Sequence, residues 1–443
     1  MVRESTPARA GRAARAGRRA PHSCAMSTVG GLRRGLRHLV AAAALALLLA
    51  AGTRAAARIN MDDDALLGSD LSDLKEVRDN RVRPDPSPHD KAESELLLVH
   101  VLFRHGDRTP DPPTYPNDPY SNFSYDPVGW GGLTPNGKRT EYRIGKFLRR
   151  RYGAWLGPYR SNLLAARTTD WPRTKDSMSL VLAGLFPPAE DDVWAEGADK
   201  LGDLWMPIAS ESVPRSEDNL LYMWDVPCPE HDKAFKEVLS SQSFQKQFRG
   251  GSHAPIVSYL EKYSGAKINV PEDVYNIYQA LLAQQGWNLT LPSWTEDVFP
   301  DKMKPLAALY FEADTWNRKM QRLRAGPLVK RIIRHSVAKS RGLLRPNRQM
   351  YLYAAHDNNV AALLMALRVW EPGTMPPYGV AVIFELRRRA GQVGIQMYLR
   401  NSTSMEDLHP LTMPDCEHFC PVHRFVQLTA DVTPGNWEAE CEG

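Results

Sequence analysis

Arg104-His105-Gly106-Asp107-Arg108-Thr109-Pro110 and His356-Asp357 are the two stretches where side chains able to do chemistry gather. Each follows an apolar run and precedes a helix or loop. In open α/β sheets the ligand crevice lies at the carboxyl ends of the strands, so two such runs, if neighbours, line one pocket. The residue types suit a small, doubly charged oxyanion. Arg104 and Arg108 carry planar guanidinium forks that grip such oxygens bidentately. A neutral imidazole between them, His105, is a nucleophile that splits a displacement into two easier steps through a covalent intermediate. Gly106 adds no side-chain bulk where the backbone approaches the anion. Asp357 is a carboxyl placed to give the leaving oxygen its proton. Together these residues fit phosphoryl transfer from a phosphate monoester, with the arginines stabilising charge on the transferring oxygens. The scheme requires no metal and no other cofactor. By itself His356-Asp357 is also what a helix N-cap selects. The first stretch, with Arg, His, Gly, Arg and Pro fixed within seven positions, is too specific for a mere polar sheet edge.

Those groups have to be positioned by strands. Residues 96–103 form a nearly unbroken apolar run, as expected of a strand buried on both faces. Thr134-Pro135 reads as an N-cap with Pro at the first helical position, opening a helix to about Arg151 with Ile144, Phe147 and Leu148 on one face. Arg149-Arg150-Arg151 reads as a solvated helix face. A second helix over 174–185 is stopped by Pro187-Pro188. Strand character returns at 350–355, followed by a helix over 358–368. An antiparallel pair is expected at 380–386 and 393–399, turning near Gly391. Strands alternating with helices predict an α/β fold: a mixed, mostly parallel central sheet with helices on both faces and a smaller, mainly helical cap domain. The expected organisation is a leader with signal peptide (1–58), a disordered acidic and Pro-rich linker (59–94), a first core segment (95–188), a helical cap or insertion (189–320) and a second core segment (321–443). The Trp residues of the middle region are expected in the cap core.

Charge excludes some partners. Residues 1–58 hold eleven Arg against one acid, Glu4, so they account for +10 of a net +5, and the rest of the chain is −5. A mildly acidic body argues against nucleic acid or heparin. Arg33, Arg34 and Arg37 precede the Ala/Leu-rich run Leu39 to Ala51, with small residues around Ala55 and Ala57 for cleavage. The run is shorter than the ~20 residues a membrane span needs, so no stable membrane insertion is expected once the signal is removed. Met26 is a second candidate start. If Met1 is used, the Arg-rich extension makes a transit peptide the rival reading. Cys24 precedes Met26, and Cys228, Cys416, Cys420 and Cys441 remain, which allow three pairings. Zinc is the competing reading, weakened by the lack of paired Cys-x-x-Cys knuckles. Asn122, Asn288 and Asn401 open glycosylation sequons. His100, His231, His253, His335, His409, His418 and His423 show no metal-ligand spacing.

The motifs Arg104-His105-Gly106-x-Arg108-x-Pro110 and His356-Asp357 resemble those of the histidine acid phosphatases, and the resemblance covers about 96–443. Tyr115-Pro-Asn-Asp-Pro-Tyr120, Ala183-Gly-Leu-Phe-Pro-Pro188 and Pro414-Asp-Cys-Glu-His-Phe-Cys-Pro421 are similar to the animal lysosomal, prostatic and venom type. The resemblance implies an acid phosphatase hydrolysing phosphate monoesters through a phosphohistidine at His105, with Asp357 as proton donor. It implies that Arg104, Arg108 and His356 bind phosphate, joined by a third arginine from an Arg-Ser/Thr-Thr-Asp stretch, here Arg167. Arg173 is a second candidate for supporting the pocket. It further implies disulfides Cys228–Cys441 and Cys416–Cys420, secretion or a lysosomal address, and a homodimer as an assembly open to the protein. Two alternatives remain: a phytase- or phospholipid-phosphatase-like relative of the same family, and a catalytically inactive secreted binding module.

Overall fold

The strand over Glu95–Arg104 (β1) is buried from Leu97 onward, with a strand on each side and helices against its faces. Parallel to it lies β4 (Met350–Ala355), and antiparallel to it β5 (Ala381–Arg389). The sheet continues beyond β4 with β2 (Leu164–Thr168) and β3 (Glu211–Ser212), both parallel. Beyond β5 come β6 (Gln392–Arg400) and β7 (His409–Leu411), both antiparallel. The order is β3-β2-β4-β1-β5-β6-β7, with β8 (Cys420–Pro421) also paired to β6. The computed structural model describes residues 94–189, 193–195, 200–401 and 408–443. The leader expected over 1–58 and, apart from Ser94, the linker expected over 59–94 lie outside the described residues. All described residues fall within one unit, Ser69–Gly443.

The helix α1 (Pro135–Leu156) starts where expected. Thr134 Oγ1 accepts from Gly137 N at 3.0 Å, and Pro135 stands at the first position. It covers one face of the sheet together with α2 (Pro172–Leu185). Ile144, Leu148, Met178 and Leu182 pack there on Val99, Val101 and Phe103. Further along the chain come α3 (Pro229–Ser240), α4 (Gln242–Arg249), α5 (His253–Ser264), α6 (Pro271–Gly286) and α7 (Met303–Asp314). These helices share a separate hydrophobic cluster that includes Phe244, Phe248, Leu260, Leu281 and Leu306. After α8 (Arg318–Arg324), α9 (Gly326–Ser340) and α10 (Asp357–Ala366) pack on the opposite face of β1. There His335 of α9 stacks on Tyr351 with ring centroids 4.0 Å apart. The β5–β6 turn carries positive φ at Ala390 and Gly391, as a two-residue hairpin loop demands. Disulfides join Cys228 to Cys441 and Cys416 to Cys420. Among the described residues no helix is long and apolar enough to cross a membrane.

One strand goes unread in the sequence and two local expectations change. The strand β2, Leu-Ala-Ala-Arg-Thr, has too little β-branched or aromatic character to be read as one. Pairing with β4, Leu164 opposite Met350 through Thr168 opposite Ala354, makes it a strand. Arg151 does not simply face water. Its Nε and Nη2 donate to Glu385 Oε1 on β5, at 2.9 and 2.7 Å. Of the middle-region tryptophans, Trp294 packs against the helical cluster, whereas Trp194, Trp205 and Trp316 are exposed.

Candidate active site

The strands β1 and β4 are neighbours, and their register pairs Arg104 with Ala355, so His105 and His356 leave the sheet side by side. Their rings meet edge to face, centroids 5.4 Å apart. Thr168 of β2 pairs with Ala354, which brings the start of α2 to the same edge. Three parallel strand ends therefore converge on one place, as the crevice rule requires.

His105 is 2 % exposed. Its Nδ1 lies 2.9 Å from the carbonyl of Gly106, which can only accept, so Nδ1 holds the proton. That leaves the Nε2 lone pair facing Arg173 Nε at 3.2 Å. Burial, then the charges of Arg173, Arg104, His356 and Arg108, hold the imidazole well below its ordinary pKa. Behind it, the chain is pressed against the first turn of α1. A Cβ at Gly106 would lie 2.6 Å from the Gly137 carbonyl, so only glycine fits.

Arg104 is buried over the ring of Tyr378, 4.1 Å from its centroid. Its Nη1 donates to Pro376 O at 2.6 Å, and Nη2 reaches Asp357 Oδ2 at 2.8 Å. Arg108 donates to Thr109 O at 2.9 Å and pairs with Asp111 at 3.3 Å. The third guanidinium here is Arg173, which also pairs with Asp111, at 3.2 Å, and lies 4.5 Å over the Trp171 ring. Arg167, which the resemblance assigns to phosphate, is held elsewhere. It bonds the Thr168 carbonyl and pairs with Asp218 at 2.9 Å. The cations that depress both His105 and His356 are Arg173, Arg104 and Arg108, and Arg167 is not among them. The physical reason is position. Arg167 lies within β2, opposite Tyr353, whereas Arg173 stands on the first turn of the helix that follows.

Asp357 opens α10, and His356 is its N-cap. Asp357 Oδ1 accepts from Asn358 N at 3.0 Å. Its Oδ2 accepts from Tyr275 Oη at 2.9 Å and Gln279 Nε2 at 3.4 Å, besides Arg104. His356 Nε2 lies 2.9 Å from Thr169 Oγ1, and burial followed by the same arginines lowers its pKa as well. Tyr275, Gln279 and Tyr378 were not singled out from sequence. The first two sit one turn apart on α6, in a region with no motif. Their i, i+4 spacing does not set them apart, because the helix also carries Glu272, Asp273, Asn276, Gln284 and Gln285. Asn122, Asn288 and Asn401 are exposed. Among the described residues there is no group of three or more His, Cys, Asp or Glu suited to a metal ion.

A pocket of buried guanidiniums around an imidazole whose Nε2 lone pair accepts from Arg173, next to a hydrogen-bonded carboxyl, is built for phosphoryl transfer. Residues 95–404 match the family model of the histidine phosphatase superfamily, branch 2, and the chain belongs to that family. It is 35% identical to the venom acid phosphatase of Apis mellifera over 357 residues, 79% of this chain and 88% of the relative. It is also 35% identical to human prostatic acid phosphatase over 355 residues, covering 78% and 88%. Human lysosomal acid phosphatase is 32% identical over 357 residues, covering 78% and 80%. Among solved structures, a Hafnia alvei phytase aligns with a TM-score of 0.59 at 16% identity, over 79% of this chain and 99% of that one. That likeness is one of fold. The protein is a phosphoric monoester hydrolase of the acid phosphatase kind.

Proposed function

We propose that this acid phosphatase works through a phosphohistidine formed at Nε2 of His105. Arg104, Arg108, Arg173 and His356 take the oxygens of the monoester. Arg173 exchanges its contact with Nε2 for one with phosphate as the substrate enters. The Nε2 lone pair attacks phosphorus, the P–O bond to the leaving group breaks, and Asp357 protonates the departing oxygen. In the second step water attacks the phosphorus, Asp357 takes back a proton, and the P–N bond breaks to release phosphate. The observation that carries this reading is the His105 ring itself, its Nδ1 proton fixed by Gly106 O and its Nε2 aimed among three arginines.

The same burial explains activity in acid. A depressed pKa keeps His105 unprotonated and nucleophilic well below its ordinary value. We place the protein outside the cell, with the lysosome as the alternative. Support comes from the leader-like sequence of 1–58, the two disulfides and the exposed sequon asparagines. The reading keeps two core segments, 95–188 and 321–443, around the helical insertion 189–320, which lends Tyr275 and Gln279 to the site.

Quenched-flow mass spectrometry in mild acid tests the mechanism. A phosphate adduct on His105, absent from His105→Ala together with turnover, is the expected result. Asp357→Ala should slow adduct formation more for alkyl phosphates than for nitrophenyl phosphate. A folded protein that neither forms an adduct nor releases phosphate would return the chain to the binding-module alternative.

A further inference from the structure

Asp111 stands at the mouth of the pocket and is used by none of the steps above. Its Oδ2 lies 3.3 Å from Arg108 Nη2 and its Oδ1 3.2 Å from Arg173 Nη1. The two guanidiniums are nearly buried, whereas the carboxylate is 39% exposed, so it forms the outer wall between them and solvent. The loop is tied down to keep it there. Thr109 Oγ1 donates to Gly129 O at 2.6 Å and accepts from Gly132 N at 3.0 Å. Gly131 N donates to Pro110 O at 2.8 Å. Gly131 itself has φ +65°, and a Cβ there would collide with the Asp111 carboxylate. The tied loop therefore holds a carboxylate where it bridges Arg108 and Arg173.

We propose that Asp111 is a specificity-determining residue, a charge filter that confines the site to monoesters whose leaving group carries no further anion near the ester oxygen. The scissile phosphate still meets Arg104, Arg108, Arg173 and His356 in the interior. A second phosphate or carboxylate on the leaving group faces Asp111 across the mouth and is repelled. Like charges juxtaposed at a binding site are the usual means of rejecting a wrong partner.

The inference rests on the phosphatase reading, and its test separates the two. The quantity to measure is the ratio of kcat/KM for myo-inositol hexakisphosphate to that for phenyl phosphate, both taken at the same pH and salt. Asp111→Asn keeps the shape and removes the charge. It should raise the ratio by about tenfold, and Asp111→Lys further, with the gain shrinking at high salt because the effect is electrostatic. An active Asp111→Asn enzyme with an unchanged ratio, or with equal losses on both substrates, overturns the filter and leaves the phosphatase standing. Wild-type protein inert on both substrates overturns the phosphatase reading and the filter with it.

Discussion

Two arginines six residues apart show what a single side chain's address decides. Arg167 and Arg173 share the segment Arg-Thr-Thr-Asp-Trp-Pro-Arg, and both are buried. Only Arg173 touches His105. Arg173→Ala should lower kcat/KM by on the order of 10²-fold or more, the usual effect of losing one stabiliser of transition-state charge. Arg167→Ala should leave turnover near normal in the folded protein. It should cost about 3–5 kcal/mol of stability, because Asp218 is then buried without its partner. Steady-state kinetics beside thermal melts of the two variants decide the matter, and exchanged phenotypes would restore Arg167 to the pocket. Sequence exposed His105, Arg104, Arg108, His356 and Asp357 because dense motifs follow apolar strands. It hid the ranking of Arg167 and Arg173 because that depends on where β2 stops, and β2 exists through its pairing with β4 rather than through its own residues.

At the scale of elements, apolar runs made β1, β4 and the β5–β6 hairpin legible, while nothing in α6 announced that it reaches the site. Yet α6 delivers two donors to one carboxylate oxygen: Tyr275 and Gln279 both bind Asp357 Oδ2. A helix from outside the sheet thus orients the carboxyl proposed to handle the proton. Tyr275→Phe deletes the hydroxyl and keeps the ring against Phe311, where the centroids are 5.5 Å apart, so the fold should hold. Losing one hydrogen bond worth about 1 kcal/mol should reduce kcat about fivefold with little change in KM. The loss should be greatest for alkyl phosphates, whose departure depends most on protonation. A fall of the same size for nitrophenyl phosphate would mean that Tyr275 only supports the local structure. The distance in sequence between Tyr275 and Asp357, joined here by one hydrogen bond, explains why no local pattern could disclose the contact.

For the whole molecule, the burial that suits His105 to acid has a cost in stability. His100, His105, His231, His335 and His356 are all held below their ordinary pKa, with burial the leading cause in each case. His100 is the clearest: its value is lowered from 6.5 to about 3 by burial and then by Arg331. It lies beside the stacked pair Tyr351 and His335, its ring centroid 4.9 and 5.4 Å from theirs, with Nδ1 3.2 Å from Tyr353 Oη. Below 6.5 the unfolded chain takes up a proton that the native His100 refuses. Stability from this group is therefore complete above 6.5 and declines as pH falls toward 3, by up to roughly 1.4 kcal/mol per pH unit. Glu141, buried with both oxygens unpartnered, is pushed upward and works in the opposite direction, so it offsets part of the loss. Burial raises Glu272 in the same sense, so among the described residues five imidazoles stand against two carboxyls, and the melting temperature should fall steadily from neutral pH into mild acid. His100→Phe keeps an aromatic ring in the stack and removes one of the titrating groups. Its melting temperature should fall less steeply over the same range, while the acid limb of the activity profile, to which His105 contributes, stays where it was. Thermal melts and pH–rate profiles on the same two proteins would test this. Parallel melting curves would show that protonation of the buried stack does not govern acid stability. A displaced activity limb would show instead that the loss of turnover in acid is unfolding rather than chemistry.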